Sequence, residues 1–481
     1  MVKAKESKGT GSSCSISKQE EIIPKIGLEI HGYIQTKEKL FCRCPTDYKD
    51  AKPNTNICPI CTGQPGSKPM LPNEEALKKI IEISLMLGCK INDFRGIIWQ
   101  RKHYDWPDLP KGYQDTTSGA YSIPVGENGN YLDIRIHHCH IEEDPARWDP
   151  ETGNVDYNRC GLPLIEIVTE PDFKSSKEVR EWLNQLLITL SYLKAVDVDG
   201  GIKADVNVSV KVRGKQGERV EVKNINSVYS IERAIDFEIM RQSNLLKQGE
   251  KVKMETRTFV DSTKSTVLMR EKEIAEDYRF IPDPDLPVME VSKEQVSEMQ
   301  KKLPELPHLK VKRFSKEYKI DEDAAKVLSQ NKDLADFYEK IAEKTNPELS
   351  AYWVTIELLR VLNWNKKELH EVSINPEHFI ELLKLIEKKE ITELAAKQIL
   401  NQFIPKSFSP MTKLNETSRI TDKDELEKIC KQVILKNQKA VLDYKAGEEK
   451  SLNFLIGQVM AMTKGRADNQ LVRGIMMKLI K

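Results

Sequence analysis

The chain has 481 residues, and its 75 Lys and Arg nearly balance its 74 Asp and Glu, for a net charge of +1. With 39% hydrophobic and 31% charged residues, the composition is that of a globular protein and excludes collagen-like and intrinsically disordered chains. The near-zero charge excludes a globally basic nucleic-acid binder, although it allows a local basic surface.

The N-terminal segment 1–21 is polar and lacks the apolar core of a secretory signal, so we expect a disordered tail. The chain contains nine cysteines. An odd number in a long chain argues against a disulfide framework and indicates a reducing compartment. We therefore expect a cytoplasmic protein.

Three folded parts follow the tail, and together they predict an α+β protein. Residues 22–290 show strand-like alternation with Gly and Pro turns, interrupted by helices near 74–88 and 175–193. This part is expected to form a mostly antiparallel sheet. Residues 291–403 have a helical pattern, and residues 404–481 begin with a loop and continue as a small helical tail.

Four cysteines form two pairs, Cys42 and Cys44 in FCRC and Cys58 and Cys61 in CPIC. Such spacing allows four thiolates to meet at one Zn²⁺ ion in a closed tetrahedral site, which would be structural because no position is open for substrate. The alternative is a set of small buried thiols, and the sequence leaves it open.

Several predicted strands place acidic and basic side chains on one face and aliphatic side chains on the other. Glu29 and His31 lie on the first strand, and later strands contribute Glu143, Glu166, Asp205, Lys223 and Arg257, with Glu143 included only if its strand runs unbroken. Converging acids repel one another unless cations lie between them, and Mg²⁺ prefers oxygen ligands. Interleaved Arg and Lys can hold phosphates. The pattern favours metal-dependent phosphoryl transfer without a P-loop motif, and its alternative is the ordinary wet face of an antiparallel sheet.

A series of motifs resembles the B subunit family of aspartyl/glutamyl-tRNA amidotransferases, in its archaeal zinc-binding form. In order, they are GLEIH, LFCRC, CPIC, DWPDLPKGYQ, HIEEDPAR, PLIEIVTEPDF, DVNVSV, EVKNINS and DYRFIPDPDLP. The resemblance runs from about residue 22 to the C-terminus.

The resemblance implies a glutamine-synthetase-like catalytic cradle, a helical domain and a tRNA-binding tail domain. It implies a ligase that uses ATP to phosphorylate the side-chain carboxylate of Glu or Asp on a misacylated tRNA, Glu-tRNA(Gln) or Asp-tRNA(Asn). Ammonia from a glutaminase A subunit then forms the amide, and a small C subunit joins the two larger ones. Carried over to this chain, the Mg²⁺ ligands fall on His31, Glu143 and Glu166, with Glu29 and Asp205 beside them.

The segment EEDPAR departs from the family's bacterial pattern, because Arg147 stands where a lysine is usual. We expect Arg147, Lys223 and Arg257 to contact the nucleotide phosphates, and Lys464, Arg466, Arg473 and Lys478 to contact tRNA. Two other functions remain open, namely a zinc-containing RNA-binding scaffold without catalysis and a metal-dependent phosphohydrolase.

Overall fold

The computed structural model describes residues 21–92, 96–104, 106–197, 202–271, 279–420 and 422–480. The expected tail 1–21 lies outside these residues except for its last position. Among the described residues, no helix combines the length and the apolar character needed to cross a membrane.

Two compact units make up the chain, one ending at Pro304 and the other comprising Glu305–Lys481. The first unit is built on strands. These are β1 (Ile22–Tyr33), β2 (Lys90–Ile91), β3 (Gln100–His103), β4 (Tyr113–Thr116), β5 (Gly126–Tyr131), β6 (Ile134–Glu143), β7 (Arg147–Trp148), β8 (Val155–Asp156), β9 (Pro163–Thr169), β10 (Lys203–Val212), β11 (Lys215–Gln216), β12 (Val220–Ile225), β13 (Glu255–Val260), β14 (Ser265–Glu271) and β15 (Arg279–Pro282).

All of these strands except β7 and β8 belong to one sheet, whose main path runs β14-β13-β12-β10-β1-β9-β6-β4-β3-β15. The pairings along it are antiparallel except for the parallel pair β12–β13. This confirms the predicted α+β class with a mostly antiparallel sheet followed by a helical region.

Helices cover one face of the sheet because alternate residues of its central strands are aliphatic. Leu28 and Ile30 of β1 are buried, as are Val206 and Val208 of β10. The helices of this unit are α1 (Glu74–Met86), α2 (Ser176–Leu193), α3 (Val228–Gln248) and α4 (Lys293–Lys302). The Gln242 amide of α3 donates to the Val208 carbonyl at 3.2 Å, which fixes α3 against β10.

Helix ends in this unit follow from the local sequence. Ser175 and Ser227 accept backbone N–H bonds at the starts of α2 and α3, as N-cap serines do.

The bounds of helices α1 and α2 were predicted within two residues, whereas α3 was not predicted. The sequence prediction also placed α4 outside the sheet domain, but α4 belongs to the first compact unit.

The second unit is helical and contains two separate apolar clusters, one formed by residues between 314 and 403 and the other by residues between 420 and 480. The cis peptide bond Ile404–Pro405 lies in the loop between them. The helices are α5 (Pro307–Glu317), α6 (Glu322–Leu328), α7 (Lys332–Ala342), α8 (Pro347–Tyr352), a π-helical turn (Trp353–Leu358), α9 (Leu359–Trp364), α10 (Pro376–Glu387), α11 (Glu393–Asn401), α12 (Leu414–Thr417), α13 (Lys423–Lys436), α14 (Gln438–Lys445), α15 (Glu449–Met462) and α16 (Asn469–Ile480), with 3₁₀ turns at Leu369–Glu371 and Pro410–Lys413.

Candidate active site

The face of the sheet opposite the helices carries the polar side chains of β1, β9 and β10. His31 lies opposite Glu166 of β9 and Lys203 of β10, and Glu29 lies opposite Asp205 of β10. Directly opposed residues of antiparallel strands project to the same face. The backbone register therefore brings His31, Glu166, Glu29 and Asp205 together, as the sequence predicted.

A β-bulge decides which residues of β6 join this face. Ile136 pairs with Thr169 and His138 pairs with Val168, so His137 is an extra residue in β6. One extra residue exchanges the two faces of every position that follows it. After the bulge, His140 and Glu142 lie on the polar face.

His31, Glu142 and Glu166 form the first candidate cation site, because one ligand atom of each lies within 4.8 Å of the others. The imidazole Nε2 of His31 is 3.2 Å from Glu166 Oε2. His140, which is buried, places its Nε2 3.2 Å from both Glu142 Oε1 and Glu166 Oε2. Two carboxylates and two imidazoles thus converge on one point.

The two carboxylates favour positive charge on the imidazoles beside them. Burial alone favours a neutral imidazole, but the hydrogen bond and charge of Glu166 raise the pKa of His31 to about 9. The same carboxylate, together with Glu142, raises the pKa of His140 to about 10 against the effect of burial. Burial opposes ionisation of Glu166, yet His140 and His31 hold its pKa well below the ordinary value. The same carboxylates could hold a metal cation, which would bind His31 in its neutral form and displace its proton.

Glu29, Asp205 and Glu221 form a second acidic cluster on the same face, again with ligand atoms within 4.8 Å of one another. The Lys223 ammonium lies 2.8 Å from Asp205 and 2.7 Å from Glu221, and its side chain is 30% exposed. Burial and the charge of Glu166 raise the pKa of Glu29. This second cluster therefore combines possible cation ligands with a partly exposed lysine.

Glu143 is not part of either cluster. Because it is next to Glu142 in a regular part of β6, it points to the opposite face of the strand, where it forms a buried ion pair with Lys111. Lys111 also pairs with Asp115 at 2.8 Å. Burial raises the pKa of Asp115 well above its ordinary value, while the two acids raise the pKa of Lys111 against the effect of burial. The predicted set of His31, Glu143 and Glu166 is thus not assembled, and Glu142 takes the place expected for Glu143.

Two of the three predicted phosphate-binding cations lie away from the clusters. Arg257 is on the helix-covered face, where it contacts Glu238 of α3 at 3.3 Å and Glu255 at 2.8 Å. Arg147 is exposed on the small β7–β8 sheet. Of the three cations, Lys223 lies at the second acidic cluster, between Asp205 and Glu221.

A further arginine, which the sequence reasoning missed, shapes the turn that follows β6. Arg159 lies 2.9 Å from Asp144 and donates hydrogen bonds to the Pro145 and Ala146 carbonyls. Tyr33 also donates to Asp144, at 3.1 Å. Burial raises the pKa of Asp144 to about 6 even beside Arg159. These contacts fix the EEDPAR turn next to Glu142.

The four predicted zinc ligands, Cys42, Cys44, Cys58 and Cys61, converge with their sulfur atoms within 4.8 Å of one another. The sulfurs of Cys58 and Cys61 are 3.9 Å apart. That spacing is close to the ~3.8 Å edge of a tetrahedron with Zn–S bonds of about 2.3 Å. All four thiols are free of disulfides. The donor set and its geometry therefore fit zinc.

Comparison with known proteins identifies the family of this chain. Residues 24–297 match the family described as the GatB/GatE catalytic domain, and residues 336–480 match the family described as the GatB domain. Three archaeal proteins, each named as the B subunit of an aspartyl/glutamyl-tRNA(Asn/Gln) amidotransferase, are similar over nearly their full length.

The relative from Methanothermobacter thermautotrophicus is 49% identical over 446 residues, which are 92% of this chain and 97% of the relative. The relative from Methanocaldococcus jannaschii is 47% identical over 93% of this chain and 96% of its own length. For Methanococcus maripaludis strain C5 the identity is 45%, with 96% of this chain and 99% of the relative covered. The chain belongs to the GatB family, the B subunits of the aspartyl/glutamyl-tRNA amidotransferases.

Proposed function

We propose that this chain is the kinase and transamidase subunit of a tRNA-dependent amidotransferase. It would act on Glu-tRNA(Gln), on Asp-tRNA(Asn), or on both, and convert the side-chain carboxylate to an amide. The observation that carries the proposal is the pair of acidic clusters on one polar face of the sheet, joined through β1 by Glu29 and His31. The names of the relatives support the same reaction.

The chemistry requires an activated carboxylate, because oxide is a poor leaving group. One carboxylate oxygen of the substrate attacks the γ-phosphorus of ATP, and the bond from that phosphorus to the bridging oxygen of ADP breaks. Ammonia then attacks the acyl carbon, and phosphate leaves with the former carboxylate oxygen. Such a reaction needs mainly positioning and charge neutralisation from the protein.

His31, Glu142 and Glu166 would hold Mg²⁺, and Glu29, Asp205 and Glu221 would hold a second cation or help to position the first. Bound magnesium would neutralise phosphate charge. Lys223 would donate to a phosphate oxygen from its place between Asp205 and Glu221. We assign the metal contact to Glu142 rather than Glu143 because Glu142 shares the face of His31. A nucleotide contact by Arg147 or Arg257 stays a prediction.

The remaining parts of the assembly are also proposals. Ammonia would come from a glutaminase A subunit, with a small C subunit completing the enzyme in the cytoplasm. The first compact unit, which ends at Pro304, would contain the catalytic cradle, residues 305–403 a helical domain and residues 404–481 the tRNA-binding tail. Lys464, Arg473 and Lys478 are exposed on that tail, which suits phosphate contact. The cysteine cluster would hold a structural Zn²⁺.

The test is amidation of both misacylated tRNAs by the chain reconstituted with its partner subunits. We expect ATP cleavage to depend on charged tRNA and amidated product to appear in equal amount. Equal phosphate release with and without charged tRNA would support a phosphohydrolase instead. Binding of tRNA without ATP cleavage would support a scaffold. Both outcomes contradict the proposal.

A further inference from the structure

Lys39 is a buried lysine beside the zinc-type cysteine cluster. Its relative exposure is 1%, and its ammonium donates to the Asn56 carbonyl at 2.9 Å and to the Tyr157 carbonyl at 3.4 Å. The same ammonium lies 3.8 Å from the sulfur of Cys61. The contact with Cys61 places a cation directly against one ligand of the proposed metal.

A buried ammonium needs a compensating negative charge, because removing it from water is costly. In the described part of the chain, no carboxylate lies within 4.0 Å of Lys39 to form an ion pair. Carbonyl oxygens are dipoles and carry no net charge. Four thiolates around one Zn²⁺ have a net charge of about −2. The metal centre can therefore supply the negative charge that Lys39 requires.

We propose that Lys39 is a positioning residue of the zinc centre, where its ammonium donates to the Cys61 thiolate and offsets the excess negative charge. The inference rests on the proposed zinc site and goes beyond it, since it assigns a role to a residue that is not a ligand. Hydrogen bonds to metal-bound groups orient the ligands and strengthen metal binding.

Lys39 also connects the zinc loop to the core of the sheet domain. Next to it lies Gly161, where an added Cβ would be 3.4 Å from the Cys61 Cβ, 3.5 Å from the Lys39 Cδ and 3.5 Å from Glu143 Oε1. The Gly161 carbonyl accepts from the Leu40 N–H at 2.8 Å. The Cys160 thiol donates to the Cys61 carbonyl at 3.1 Å. The bond from Lys39 to the Tyr157 carbonyl is thus one of several contacts that join the zinc loop to the turn at 157–161.

The test compares zinc binding by the full chain in its wild-type form and with Lys39→Met, Lys39→Arg and Lys52→Met. Lys52 is an exposed lysine of the same loop, so its substitution is the matched control for loss of charge. We expect Lys39→Met to weaken zinc affinity about 10- to 100-fold, as loss of an outer partner of a metal ligand does. Lys39→Arg should recover part of the loss, and Lys52→Met should behave as wild type.

A spectroscopic measurement separates this role from a purely structural one. With Co²⁺ in place of zinc, Lys39→Met should shift the thiolate-to-metal charge-transfer band to lower energy, because the sulfur loses a donor and a nearby cation. An unchanged band together with unchanged zinc affinity would overturn the inference while leaving the zinc site intact. Wild-type protein without zinc would overturn the zinc site itself.

A measurement on the wild-type chain keeps the inference testable if Lys39→Met does not fold. Reductive methylation followed by peptide mass spectrometry should modify Lys52 with or without zinc, but Lys39 only after zinc is removed. Equal modification of Lys39 in both states contradicts the proposed contact. Complete protection of Lys39 in both states also contradicts the proposed contact.

Discussion

Adjacent glutamates at the end of β6 provide a matched pair of substitutions, Glu142→Gln and Glu143→Gln. Both replace a buried carboxylate by an amide of the same shape. Glu142 faces His140, Glu166 and His31, whereas Glu143 faces Lys111 on the other side of the strand. The two changes therefore remove one charge each from different sites that are one residue apart.

For Glu142→Gln we expect a higher magnesium requirement. A contact to a charged group contributes about 1.5–3 kcal/mol, and each 1.36 kcal/mol is a factor of ten. The magnesium concentration for half-maximal carboxylate phosphorylation should therefore rise about 10- to 150-fold. Glutaminase activity of the partner subunit should be unchanged, because the substitution lies in the cation cluster of this chain.

For Glu143→Gln we expect a loss of stability. Breaking a buried ion pair by removing one partner costs roughly 3–5 kcal/mol, and the remaining pair between Lys111 and Asp115 should keep the loss near the lower value. The urea midpoint should fall while the magnesium requirement of the folded enzyme changes little.

The assay is tRNA-dependent phosphate release as a function of magnesium, with urea unfolding of each variant as its companion. If Glu143→Gln raises the magnesium requirement more than Glu142→Gln does, Glu143 is the ligand and the face assignment from the bulge is refuted.

Two further predictions concern stability and zinc. Cys58→Ser should lower the zinc content and the unfolding free energy, since one of four ligands is lost; an unchanged zinc content measured by mass spectrometry would contradict the zinc assignment. Glu357 is buried in the helical unit beside Lys397 and Arg360, which hold its pKa below the ordinary value although burial acts the other way. Because the folded-state pKa is lowered, its stabilisation is complete above the unfolded pKa and is lost as the pH falls through the folded one. Urea unfolding of the wild type should show this loss on acidification and Glu357→Gln should show less of it; identical pH profiles would refute the role of the carboxylate.

Alternating residues allowed the polar face of β1, β9 and β10 to be predicted, because residues two apart share a face whenever a strand is regular. The positions of Glu29, His31, Glu166 and Asp205 followed from that rule. The paired spacing of the four cysteines likewise predicted their convergence.

The structure differs from the predicted placement where local geometry breaks the alternation. The bulge at His137 inserts one residue, and nothing in the run His137, His138, Cys139 and His140 marks where it falls. Since residues 142 and 143 are both glutamate, the sequence does not show which of the two side chains faces His31. Arg257 was grouped with the acidic face because Glu255 and Arg257 share a face of their strand, and the helix α3 that supplies its partner Glu238 was not predicted. Helix α3 has many polar residues, and part of its buried face is itself polar, with Glu238 and Gln242.

The most direct test of the proposed chemistry follows one oxygen atom. Glu-tRNA(Gln) carrying ¹⁸O in the side-chain carboxylate is amidated by the reconstituted enzyme, and the released phosphate is analysed by mass spectrometry. Activation by phosphorylation predicts that one ¹⁸O atom is transferred to phosphate for every amide formed. Amide formation with unlabelled phosphate would contradict the account.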